Sequence, residues 1–211
     1  MIHETLRYHF DRALQKFSSG KLYEELLSAK KKYFDSVGQI NEEDEDFENR
    51  MNAFNEWFLL QYVPEGRETP FIEDYIAETQ IESYIADSFR SVNHSLFEFT
   101  GKNLKRLYTV KDILHGNKII MAEDVKDFPV LKGEIFLGRT LTFRDGTYLL
   151  PGLCLLPQES KGILKKQSRI VAKKKDKTLE QPFLFTVEKL KTKWARYDHV
   201  EISKIFVFGS P

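Results

Sequence analysis

An α+β fold is predicted, with an N-terminal helical layer packed on a small antiparallel sheet or open barrel, then C-terminal basic helices and a closing strand. Three observations predict it. Apolar residues recur at helical spacing as far as residue 92, strand-like runs cut by turn residues begin at Ser95, and helical spacing rich in lysine returns after Pro157. These changes divide the chain into 1–93, 94–157 and 158–211, read as parts of one compact unit.

Ile2, Leu6, Phe10, Ala13, Leu14 and Phe17 share one helix face, and Ser18-Ser19-Gly20 should end that helix. A second helix is expected from Lys21 to Phe34, with Lys30-Lys31-Lys32 near its C-terminal end, where cations complement the helix dipole. The acidic run Asn41 to Asp46 lacks the alternating ligands and central glycine of a calcium loop, so it reads as a helix start capped by Asn41. Phe47, Met51, Phe54, Phe58 and Tyr62 continue that helix. Thr69-Pro70 has the order of a cap followed by proline at the first helical position, and Thr79-Gln-Ile-Glu82 has capping-box spacing. Residues 70–92 should therefore be two short helices or one kinked helix.

Strands are expected at 96–99, 104–110, 118–122 and 134–143, and Asp145-Gly146 should turn the last of these into a hairpin with 147–150. Beyond Pro157, Ile163, Leu164, Ile170 and Val171 lie on one helix face, while Lys161, Lys165, Arg169 and Lys173 repeat every four residues on another. Residues 173–177 read as a solvated loop, Pro182 as the opening of a last helix through Trp194, and 200–208 as a closing strand. No repeat of solenoid or propeller length is present.

The chain of 211 residues, 41% hydrophobic, can bury a core without external staples. Its one cysteine, Cys154, cannot form an intramolecular disulfide and sits among leucines, so it reads as a core thiol in a reducing, cytoplasmic setting. The N-terminus carries charge early and reads as mature sequence rather than a signal peptide. No apolar run reaches the roughly 20 residues that cross a bilayer, which excludes membrane insertion by helices.

A net charge of zero hides an asymmetry. Residues 1–100 hold 10 Lys and Arg against 20 Asp and Glu, a net −10, and residues 101–211 hold 22 against 12, a net +10. Two explanations stand side by side: attraction between the halves, and a back half that binds a polyanion.

The pieces Phe54-Asn-Glu-Trp57-Phe58-Leu59-Leu60-Gln61-Tyr62, Gly66, Thr69-Pro70, Ser95 to Phe99, Val110 to Gly116 and Gly133 to Arg139 are similar, in order and spacing, to a poorly characterised bacterial domain sometimes found in proteins with a SEC-C zinc motif. The resemblance spans residues 50–155 and implies one unit of helices packed on strands. It assigns no activity. This chain lacks the SEC-C cysteines, so no zinc is implied, and it carries Gln61 where the resemblance leads one to expect an acidic residue.

Glycine-rich phosphate loops are absent, and the five histidines form no close metal-ligand pattern, so no metal and no cofactor is expected. A lone turn histidine such as His115 reads as structural, as do the carboxylate pairs available from Glu73, Asp74, Glu78 and Glu82. Trp57 and Trp194 read as core rather than as base-stacking platforms. The candidate partner-binding residues are Lys161, Lys165, Lys166, Arg169, Lys173, Lys174 and Lys175, with Arg139 and Arg144 beside the hairpin. The first functional expectation is a non-enzymatic binding or adaptor protein that docks a protein partner through charged faces. The alternative is a nucleic-acid-binding protein using 161–177, whose clustered cations need only phosphates. A hydrolase or nuclease whose residues converge only on folding comes third.

Overall fold

The structure is a computed structural model describing residues 2–197 and 199–209. Five helices come first. The His3 imidazole accepts a hydrogen bond from the Thr5 amide and so caps α1 (Glu4–Phe17), which buries Leu6, Phe10, Ala13 and Phe17 as its spacing predicts. α2 (Tyr23–Val37), α3 (Phe47–Leu60), α4 (Phe71–Thr79) and α5 (Ser83–Arg90) follow.

The helix starts differ from expectation in instructive ways. Residues 41–46 form turns, with the Asn41 amide donating to Asp44 Oδ2 at 2.9 Å, and α3 begins only at Phe47, where its apolar stripe begins. Asp46, just ahead of it, is ion-paired with Lys191 rather than bonded to the helix end. Helix α4 starts at Phe71 with Pro70, not Thr69, in the cap position. Thr79 turns its hydroxyl back to the Tyr75 carbonyl, Gln80 takes a left-handed conformation, and α5 starts at Ser83, so no capping box forms.

The sheet is antiparallel, with the order β3-β2-β1-β4-β5. Its strands are β1 (Asn93–Lys102), β2 (Tyr108–Asp112), β3 (Lys118–Ile120), β4 (Ile135–Phe143) and β5 (Gly146–Leu149), and β6 (Cys154–Leu156) pairs with the first residues of β4. Leu104, expected in a strand, is fully exposed in the turn before β2. The hairpin turn is Arg144-Asp145, one residue earlier than expected, because Gly146 already pairs with Phe143. Beyond β3 the Ala122 amide donates to the Thr147 carbonyl at 3.0 Å, which brings one sheet edge to the other and curls the sheet into a half-barrel. The α+β class and open-barrel expectation therefore hold.

Side chains alternate between faces along a strand. Phe97 and Phe136, paired across β1 and β4, join the large aromatic core shared with α1–α5, whereas their neighbours Leu96 and Leu137 join a second core. That second core holds Cys154 together with Leu164 of α6 (Lys161–Lys173), Leu184 and Val187 of α7 (Glu180–Arg196), and Ile205 of α8 (Ile202–Ile205). Helix α7 also locks onto α2. Tyr33 donates its hydroxyl proton to Glu188 at 3.1 Å, and Thr192 donates to the Val37 carbonyl at 3.0 Å. Gly38 makes this approach possible, since a Cβ there would lie 2.8 Å from the Thr192 methyl.

The expected closing strand at 200–208 is instead the short helix α8. Strand alternation would bury Lys204 with Ile202 and Phe206, but Lys204 is exposed, and the adjacent pair Ile205 and Phe206 are both buried, which a turn permits and an extended chain does not. Trp57 is buried in the first core, and Trp194 packs partly buried against the second. Among the described residues, no helix is long and apolar enough to cross a membrane.

Candidate functional site

Helix α6 buries only Leu164 and Ser168 fully, so most of its cations reach its surface. Two of them turn inward. Lys161 and Lys165 meet the two oxygens of Glu98 on β1 at 2.8 and 2.7 Å, and Lys161 also donates to the Gly133 carbonyl. Burial alone would raise the Glu98 carboxyl, but the two lysines outweigh it and hold it below the usual range. Lys166, Arg169, Lys173, Lys174 and Lys175 are exposed and form no ion pair with a described residue.

A groove of about 450 Å³ runs between α6 and the segment 111–116. Lys111, Lys165, Arg169 and Lys173 supply its charge, Ile113, Leu114 and Ala172 its apolar lining, and no described carboxylate lines it. Lys111 was not among the residues expected from the sequence. It lies on a different strand-and-turn unit from α6, and nothing near it in sequence marks it as different from other strand lysines.

The turn at one end of the groove is braced. Asp112, 1% exposed, accepts hydrogen bonds from Asn93 Nδ2 (3.0 Å), Ser95 Oγ (2.6 Å) and the His115 amide (3.0 Å), with His115 Nδ1 at 2.8 Å. His115 Nε2 lies 3.2 Å from Glu180 Oε2 at the start of α7. Burial works to lower the His115 pKa, yet the hydrogen bonds and charges of Asp112 and Glu180 prevail and raise it. Both ring nitrogens of His115 thus face carboxylate oxygens and are engaged by them. Ser95, committed to Asp112, is not activated by a histidine. The turn is thereby braced against β1 and the start of α7.

Beside the brace, a polar cavity of about 630 Å³ is lined by Gln61, Asn93, His94, Asp112, His115, Asn117, Lys177, Glu180 and Gln181, with Leu60, Val92, Ile119 and Leu184 among its apolar walls. His115 lines both this cavity and the groove. His94 Nδ1 is buried with no hydrogen-bond partner, and burial together with the Arg139 guanidinium pushes the ring well below the usual histidine range, so it is neutral. No group of three or more His, Cys, Asp or Glu among the described residues could hold a metal ion.

Arg139, expected on a binding surface, is instead 1% exposed. It pairs with His94 across β4 and β1; its Nε donates to Gln61 Oε1 at 2.7 Å and its Nη1 lies 3.5 Å from Glu56 Oε2. A buried guanidinium requires a partner; Glu56 of α3 and Gln61, the residue that caps its C-terminal end, supply two. Glu56 in turn accepts the Gly152 amide at 2.5 Å; burial, partly opposed by Arg139, raises its carboxyl to about 7. Arg144 is exposed and lies over the rings of Phe143 and Tyr84 in another cavity, so it does not join the groove. Cys154 is buried as expected, its thiol raised to about 12 by burial.

Residues 7–188 match the family of unknown function DUF7986. The chain belongs to that family. The DUF7986 match takes in α6, the braced turn and the Glu56–Arg139 pair, and it stops within α7, leaving α8 outside it. No curated protein and no solved structure matches the chain.

Proposed function

We propose that this protein is a non-enzymatic nucleic-acid-binding protein that holds phosphates in the groove between α6 and the 111–116 turn. One observation carries the reading: Lys111 from the sheet and Arg169 and Lys173 from α6 converge, beside the Glu98-paired Lys165, on a single groove that no described carboxylate lines. Clustered cations of this kind neutralise phosphates and release counterions without reading sequence. Beyond His115 no described aromatic ring lines the groove, so contact there is with the backbone rather than by base stacking. The buried Cys154 thiol favours a cytoplasmic place of action. The relation of residues 50–155 to domains that accompany SEC-C motifs belongs to the same reading, supported by the ordered motifs given above.

The test is fluorescence-anisotropy titration of labelled single-stranded and duplex oligonucleotides, at low and physiological salt, with wild type and an R169E/K173E variant. Salt-sensitive binding that the variant loses supports the proposal. Absence of binding at low salt overturns it and favours the second reading, a protein partner docked on the acidic front, where Glu42, Glu43 and Glu45 are exposed and form no ion pair with a described residue.

A further inference from the structure

We infer that the polar cavity beside the groove seats a nucleobase of the bound strand, an inference that rests on the nucleic-acid reading of the groove. The two spaces adjoin at His115, which lines both, but their chemistry differs sharply. The groove presents three cations without an ion-pair partner among the described residues, Lys111, Arg169 and Lys173, and no described carboxylate lines it. The cavity presents Asp112 and Glu180 beside a single lysine, Lys177, so it lacks the uniform positive charge that would draw a phosphate in. Neither is it built for a free cation, since the Asp112 oxygens already meet Asn93, Ser95 and His115, and Glu180 Oε2 lies 3.2 Å from His115 Nε2. What the cavity does offer is side-chain amides. Asn117 and Gln181 have no side-chain hydrogen bond to any described residue, and Gln61 and Asn93 each leave part of their amide free after bonding to Arg139 and Asp112.

An amide carries a donor and an acceptor side by side, the pattern that a base edge complements. A neutral His94 adds another donor or acceptor, and Leu60, Val92, Ile119 and Leu184 supply apolar surface for the faces of a flat ring. The volume of about 630 Å³ lies within the span of small-molecule sites, about 300–1,000 Å³. A nucleotide fits this division of charge: its phosphate in the groove, its base in the cavity, and His115 between them. Glu180 further favours a base with an exocyclic amine, such as cytosine, over uracil, because a carboxylate accepts from that amine.

The experiment compares two labelled strands of equal length and charge, one an oligodeoxycytidylate and one an abasic phosphodiester chain, titrated into wild type and an N117A/Q181A variant. Asn117 is exposed and Gln181 half-buried, so neither truncation opens the core. The cytosine strand should bind at least tenfold tighter than the abasic chain, and the variant should erase most of that ratio while leaving the abasic affinity unchanged. Equal affinity for the two strands in wild type overturns the cavity assignment and leaves the groove intact. Failure of both strands to bind at low salt overturns the groove reading, and the cavity assignment falls with it.

Discussion

Arg139 and Arg169 belong to the same basic half of the chain, yet one is interior and the other reaches the surface. Arg139 sits on a central strand, where Glu56 of α3 and Gln61 just past its end engage its guanidinium. Arg169 sits on a shallowly packed helix, among lysines and with no ion pair to a described residue. A buried charge is tolerated only with its partner, whereas an exposed cluster keeps its charge for something outside the molecule. The comparison separates charge that holds the fold from charge available for binding.

The largest effect expected from breaking that contrast is on the interior side. Glu56→Ala leaves a buried guanidinium without its carboxylate and strips the Gly152 amide of its acceptor, so it should cost about 3–5 kcal/mol in urea unfolding. Glu56→Gln sharpens the point through pH. The folded-state pKa near 7 lies above the unfolded value, so the proton-linked stability is complete below about pH 4.5 and is lost as pH rises through 7. Wild type should therefore lose on the order of 3 kcal/mol relative to Glu56→Gln between pH 5 and 8, read from paired denaturation curves.

On the exterior side the sign reverses: R169E/K173E should leave the melting temperature within a few degrees of wild type while weakening oligonucleotide binding at least tenfold, about 1.4 kcal/mol. The smallest effect concerns the brace between the two regions. His115 has a raised folded-state pKa, so its contribution is present below the unfolded value of about 6.5 and fades as pH rises through the folded one. Relative to His115→Gln, wild type should lose less than about 1 kcal/mol between pH 6 and 8, since the ring is partly solvent-screened.

What the sequence made legible was local. Apolar spacing placed the helix faces of α1 and α3, the change of period at Ser95 placed the sheet, and leucine neighbours marked Cys154 as core. What it hid depends on partners distant in the chain. Arg139 reads as a surface arginine until Glu56, 83 residues away, is seen beside it, and His115 meets Glu180 across 65 residues. Lys161 and Lys165 look as free as Arg169 in the four-residue repeat, and only the fold sets Glu98 beneath them. The end of the chain failed for a different reason: Ile205 and Phe206 are adjacent, and composition alone does not say whether both or alternate residues are buried.

The groove's phosphate-binding role is tested most directly by the salt dependence of single-stranded oligonucleotide binding. Three neutralised phosphates, at Lys111, Arg169 and Lys173, predict a slope of log K against log salt of roughly −2, shallower in R169E/K173E. Absence of binding at low salt, or binding indifferent to both salt and the charge reversal, would contradict it.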